Sequence, residues 1–110
     1  MTRKGVSDMI AGIGLPYAYY QFAEREAPSG PPFICFYYPR DDDFIADDKN
    51  YQPINALIIE LYSDNVDFTH EAAIESALQT NGLPYSREQT YIEGERMYQT
   101  TYTTEVVIDA

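Results

Sequence analysis

The sequence predicts an α+β domain: an antiparallel or mixed β-sheet of about five strands with two helices packed on it, in the order α-β-β-β-α-β-β. Three observations carry this. Apolar residues fall at helical spacing in two stretches, Val6 to Ile13 and Phe68 to Leu78. Runs rich in Tyr, Phe, Val, Ile and Thr have strand length, and Gly and Pro punctuate the chain between them.

The first helix is expected from Val6 to Gly14, with Val6, Met9, Ile10 and Ile13 at i, i+3, i+4 and i+7 and Ser7 or Asp8 near its start. Gly14 and Pro16 end it. Tyr17 to Phe22 is aromatic and reads as a first strand at a sheet edge. Glu24 to Pro32 holds three prolines and a glycine, so residues 23–32 form an exposed loop. Phe33 to Tyr38 has no polar alternation, the pattern of a strand covered on both faces, by sheet neighbours and either helices or a partner subunit. A second exposed loop spans 39–50.

Tyr51 to Tyr62 reads as one long strand, with Ile54, Ala56 and Ile58 on one face and Leu57, Ile59 and Leu61 on the other. Asp67 or Thr69 caps the second helix, whose expected core stripe is Phe68, Ala72, Ile74, Ala77 and Leu78, with Glu71 and Glu75 outward. Asn81-Gly82-Leu83-Pro84 closes it in a Schellman pattern. Tyr85 to Glu93 and Arg96 to Asp109 form a terminal hairpin about Gly94-Glu95. In its second strand Tyr98, Tyr102, Val106 and Ile108 share the core side, and Gln99, Thr101, Thr103 and Glu105 the other. The whole chain, 1–110, is read as a single domain.

Composition narrows the function. Eighteen acidic and seven basic residues give a net charge of −11, which argues against a phosphate-binding surface and against docking on anionic membrane. No apolar run has the length of a membrane span; Ala56 to Ile59 is ended by Glu60. Residues 6–15 are interrupted by Ser7, Asp8 and glycines, a poor signal-peptide core, and the single Cys35 forms no internal disulfide, so cytosolic folding is expected.

Little catalytic chemistry is on offer. His70 is the one histidine, which removes His-based metal sites and leaves no second member for a nucleophile-base pair. No Walker loop, dinucleotide glycine pattern or nucleophile elbow occurs. Cys35 lies among aromatics, where a thiol stays protonated. The chain is read as not an enzyme, with no cofactor and no metal. One concentration of charge stands out: Asp41, Asp42, Asp43, Asp47 and Asp48 around Phe44-Ile45. It reads as a solvated loop, as a lumen or partner loop acting through charge, or as a calcium loop, although it lacks the EF-hand glycine and terminal Glu. Eleven tyrosines exceed what one small core needs, and Tyr19, Tyr37 and Tyr98 are candidates for subunit contacts.

Several segments together resemble a family. Gly14-Leu15-Pro16, then Tyr19 to Phe22, Pro31 to Tyr38, Asp42 to Asp47, Ile59 to Tyr62 and Gly82 to Gln99 are similar to small neck and tail proteins of long-tailed bacteriophages of Gram-positive hosts. The element order looks most like their tail-terminator, or tail-completion, proteins. That resemblance implies a homo-oligomer, a hexameric ring that ends tail-tube growth and joins tail to head. It implies tail-tube protein and head-closure or connector proteins as partners, DNA passing through the lumen without specific binding, no membrane, and a place in the virion after assembly in the bacterial cytoplasm. An acidic lumen would let DNA slide without sticking. A head-closure or minor capsid protein, and an acidic DNA-mimic inhibitor, are the alternatives. A mimic needs its carboxylates spread over one face like phosphates.

Overall fold

The computed structural model describes residues 1–40, 44–45, 51–52 and 54–109, with the backbone alone at 44–45 and 51–52. Its elements are α1 (Arg3–Ala11), β1 (Tyr17–Tyr19), β2 (Phe33–Tyr37), β3 (Phe44–Ile45), β4 (Tyr51–Gln52), β5 (Ile54–Ser63), α2 (Phe68–Thr80), β6 (Tyr85–Ile92) and β7 (Met97–Val107). Five strands form one sheet in the order β1-β2-β5-β7-β6, and β3 and β4 pair separately. β1 runs parallel to β2, while every other neighbouring pair in the large sheet is antiparallel. The α+β class and the element order are as the sequence predicts.

Strand alternation decides where the core sits. Register pairs Ile34 with Leu61 and Phe36 with Ile59, and continues Ile59 to Tyr102 and Leu57 to Thr104. These residues share one face, and Val6 and Ile10 of α1 with Ile74 and Leu78 of α2 close over it. Leu57, Ile59 and Leu61 have no exposed surface, and each such side chain contributes about 1.5–3 kcal/mol through burial.

Both helices depart from expectation in instructive ways. α1 begins a turn earlier, because the Thr2 hydroxyl, not Ser7 or Asp8, accepts the cap bond from the Gly5 amide at 2.9 Å. Gly14 then turns the chain at φ 91°, where a side chain would be strained. In α2, Asp67 is the cap, accepting from the His70 amide at 3.0 Å. The stripe facing the sheet is Glu71, Ile74 and Leu78, whereas Phe68 is 74% exposed and Ala72 is exposed. Glu71 therefore points inward, the reverse of the expected face. Its partners explain this: Arg87 donates to it through Nε at 2.9 Å and through Nη2, and Gln89 donates at 3.3 Å. Glu75 next to it accepts from the buried Tyr102 hydroxyl at 2.8 Å. A carboxylate enters an interior where charged donors meet it.

The end of α2 matches the expected Schellman pattern. Leu83 N–H reaches the Leu78 carbonyl at 2.9 Å, Gly82 N–H reaches that of Gln79 at 3.0 Å, and Gly82 has φ 68°. Two strand expectations are corrected. Tyr51 to Tyr62 is not one strand: β4 pairs with β3, and β5 starts afresh after Pro53, whose type lacks the N–H a ladder needs. The expected 39–50 loop thus contains β3. β1 is an edge strand as expected, but it ends at Tyr19 rather than Phe22.

Candidate functional site

Both helices lie on one face of the sheet, and neither covers the other. Cross-strand register lays out that second face in rows. One row runs Phe33, Tyr62, Gln99, Thr90; the next Cys35, Glu60, Thr101, Glu88; the next Tyr37, Ile58, Thr103, Ser86. At its β2 end the rings pack on one another. Phe33 stacks on Tyr62 at 4.9 Å between centroids, Phe22 meets Phe33 edge-on at 5.6 Å, and Tyr20 stacks on Tyr37 at 4.7 Å. Phe33 to Tyr38 is expected to be covered on both faces, and Ile34, Cys35 and Phe36 are buried; among the described residues its second face is shielded by side chains of its own sheet and of the segment after β1, and by neither helix.

Glu60 sits near the middle of this face, half-buried, with both carboxylate oxygens held. The Tyr62 hydroxyl donates to Oε1 at 3.1 Å, and Gln99 Nε2 donates to Oε2 at 2.8 Å and to the Tyr62 hydroxyl at 2.9 Å. Burial pushes the Glu60 carboxyl above its usual range, with the Tyr62 hydrogen bond opposing. Burial, then the Glu60 charge, pushes the Tyr62 phenol up to about 12. Cys35, beside Glu60 and 5% exposed, has its thiol pushed up to about 11 by burial first and Glu60 second. It is a protonated apolar residue at neutral pH, as the sequence implied.

The candidate contact tyrosines are not brought together. Tyr19 is on edge strand β1, 48% exposed, with its ring against Phe36 and Tyr38 on the helix-covered face. Tyr37 is on the uncovered face, half-buried in its stack on Tyr20. Tyr98 is on β7 with its ring against Tyr91, on the helix side. Asp41, Asp42, Asp43, Asp47 and Asp48 lie outside the described residues. Among the described residues no group of three or more His, Cys, Asp or Glu is placed to hold a metal ion, and no helix is long and apolar enough to cross a membrane. His70, the one histidine, is half-buried, and its Nδ1 lies 2.6 Å from Asp67.

The Glu60, Tyr62 and Gln99 cluster is the feature the residue-by-residue reading missed. Its signal was present: Glu60 breaks an otherwise apolar alternation of Ile54, Ala56 and Ile58 on one strand face.

No protein-family model and no curated protein sequence matches the chain. A chain in the solved structure described as "Virion of native gene transfer agent (GTA) particle" does resemble it, with a TM-score of 0.60 and 13% identity over 88% of this chain and 81% of that one. At this identity the likeness is one of fold. Two helices over one face of a five-stranded mixed sheet are an arrangement that a chain of a virion particle also adopts.

Proposed function

We propose that the protein is a structural component of a phage-like virion: a tail terminator at the head-tail neck, which forms a ring that ends tail-tube growth and joins tail to head. The observation that carries this reading is the fold shared with a chain of a gene transfer agent virion over most of both lengths. The sequence resemblance to tail-terminator proteins supports it, and so does a sheet face that neither helix covers. In a ring that face is the natural contact, since packing a neighbour on it removes Tyr37, Ile58 and Tyr62 from water. A hexamer is the expected count, and DNA passing through the lumen meets a protein of net charge −11, which disfavours sticking.

The DNA-mimic alternative fits less well. The described carboxylates of the sheet and of α2 are divided between the helix side, where Glu71 and Glu75 are tied to Arg87 and Tyr102, and the open side with Glu60, Glu88 and Glu105, and others lie on loops and α1, such as Asp8, Glu24 and Glu95. They do not form one phosphate-like face.

The test is tube growth. Tail-tube protein polymerising in vitro should stop at shorter lengths, with this protein seen at one tube end by electron microscopy. Tubes that grow unchanged, with no protein at their ends, would refute the terminator role; binding to connector rings alone would favour head closure.

A further inference from the structure

Glu60 is a carboxylate with fixed orientation and, among the described residues, no cation beside it. Both its oxygens accept from neutral donors, and among the described residues it has no ion pair. The five strands give the uncovered face three carboxylates, Glu60, Glu88 and Glu105, and no basic side chain. Arg40, which follows β2, lines a cleft of about 350 Å³ with Ser86, Thr103 and Glu105. Two copies packed through the same face would set Glu60 and Glu88 against like charges in a desolvated contact, which is unfavourable.

The basic residues supply the complement. Arg3 lies over the Tyr38 ring at 4.8 Å, Lys4 pairs with Asp8, and Arg87 is held by Glu71. Arg25 and Arg96 are exposed, and neither side chain has an ion pair, hydrogen bond or ring contact among the described residues. We propose that the uncovered face receives a different surface of a second copy of this chain, head to tail, with Arg25 or Arg96 of that copy seated on Glu60. Such a contact is heterologous, the kind that closes into a ring. An aromatic floor with one oriented carboxylate suits a guanidinium, which stacks on rings while its fork meets the oxygens. The inference rests on the ring reading and adds its polarity and its ionic anchor.

The experiment is the concentration dependence of oligomer mass, by mass photometry and sedimentation, for the wild type, Glu60→Gln, Arg25→Glu, Arg96→Glu and the swaps Glu60→Arg with either arginine reversed. Glu60→Gln keeps an oxygen for Tyr62, and turning over the Gln99 amide lets its oxygen accept from the new NH2 where its Nε2 donated before, so circular dichroism should show an unchanged fold. Assembly of Glu60→Gln should need about tenfold or more protein, the effect of removing one member of a desolvated charge pair. One arginine reversal should abolish assembly, and the matching swap should restore it. If Glu60→Gln assembles like the wild type, or neither reversal weakens assembly, the anchor is refuted while the ring stands. A protein that stays monomeric throughout refutes both.

Discussion

Arg87→Met isolates a buried charge and measures what fixes α2 on the sheet. The Glu71 side chain is 4% exposed and Arg87 is 35% exposed. Deleting one partner of a buried pair costs about 3–5 kcal/mol, because the remaining charge keeps its desolvation without compensation. Water already reaches Arg87, and Gln89 still donates to Glu71 at 3.3 Å, so the low end applies, about 3 kcal/mol. For a domain of this size that lowers the melting temperature by about 10 °C. Glu71→Leu combined with Arg87→Met removes both charges and should lose only about 1 kcal/mol, the non-additivity expected of a coupled pair. Urea unfolding followed by circular dichroism measures all three proteins. If Arg87→Met lies within about 1 kcal/mol of the wild type, or the double variant is as unstable as the single, Glu71 does not hold α2 by this pair.

Other expectations follow from single sites. Gly82→Ala should cost about 1 kcal/mol in thermal unfolding through backbone conformation alone, since φ is 68° and an added Cβ meets nothing within 4 Å. Asp67→Ala should cost about 1 kcal/mol by removing the α2 cap. Burial works to raise the Asp67 carboxyl, but hydrogen bonds from the His70 side chain and amide outweigh it and hold the carboxyl below its usual range. The folded value is thus the lower one, so this stabilisation is complete above the unfolded value of about 3.9 and fades as pH falls through the folded one. An acid titration of stability should show this loss for the wild type and not for Asp67→Ala. Alkylation of Cys35 should stay slow at neutral pH and accelerate only as pH nears about 11; Cys35→Ala should cost about 1 kcal/mol and leave assembly intact.

Much of this fold was legible because short-range rules decide it. Gly82, Leu83 and Pro84 mark the α2 terminus with residue types that only a left-handed turn and a helix stop require. Period-two patterning placed Tyr102 and Val106 of β7 on the core side and Thr101 and Thr103 opposite, as found. The orientation of Glu71 was not legible, since hydrophobic spacing alone assigns a Glu outward. Only β6, which follows α2 in sequence and lies at the edge of the sheet, brings Arg87 and Gln89 to it. The same holds for the candidate surface. Composition points to tyrosines in contacts, but Tyr19 and Tyr37 are separated by sheet face, and Tyr98 on β7 lies three strands from Tyr19 and two from Tyr37, information that pairing alone supplies. Glu60 gathers Gln99 from 39 residues away, beyond any local pattern.

The central claim is that copies of this chain close into a ring through the face that the helices leave uncovered. Native mass spectrometry across a concentration series, alone and with tail-tube protein, addresses it most directly. One closed multiple of the 12.6 kDa chain, a hexamer, is expected, with no ladder of larger species. A 12.6 kDa monomer at every concentration, with and without tail-tube protein, would contradict it.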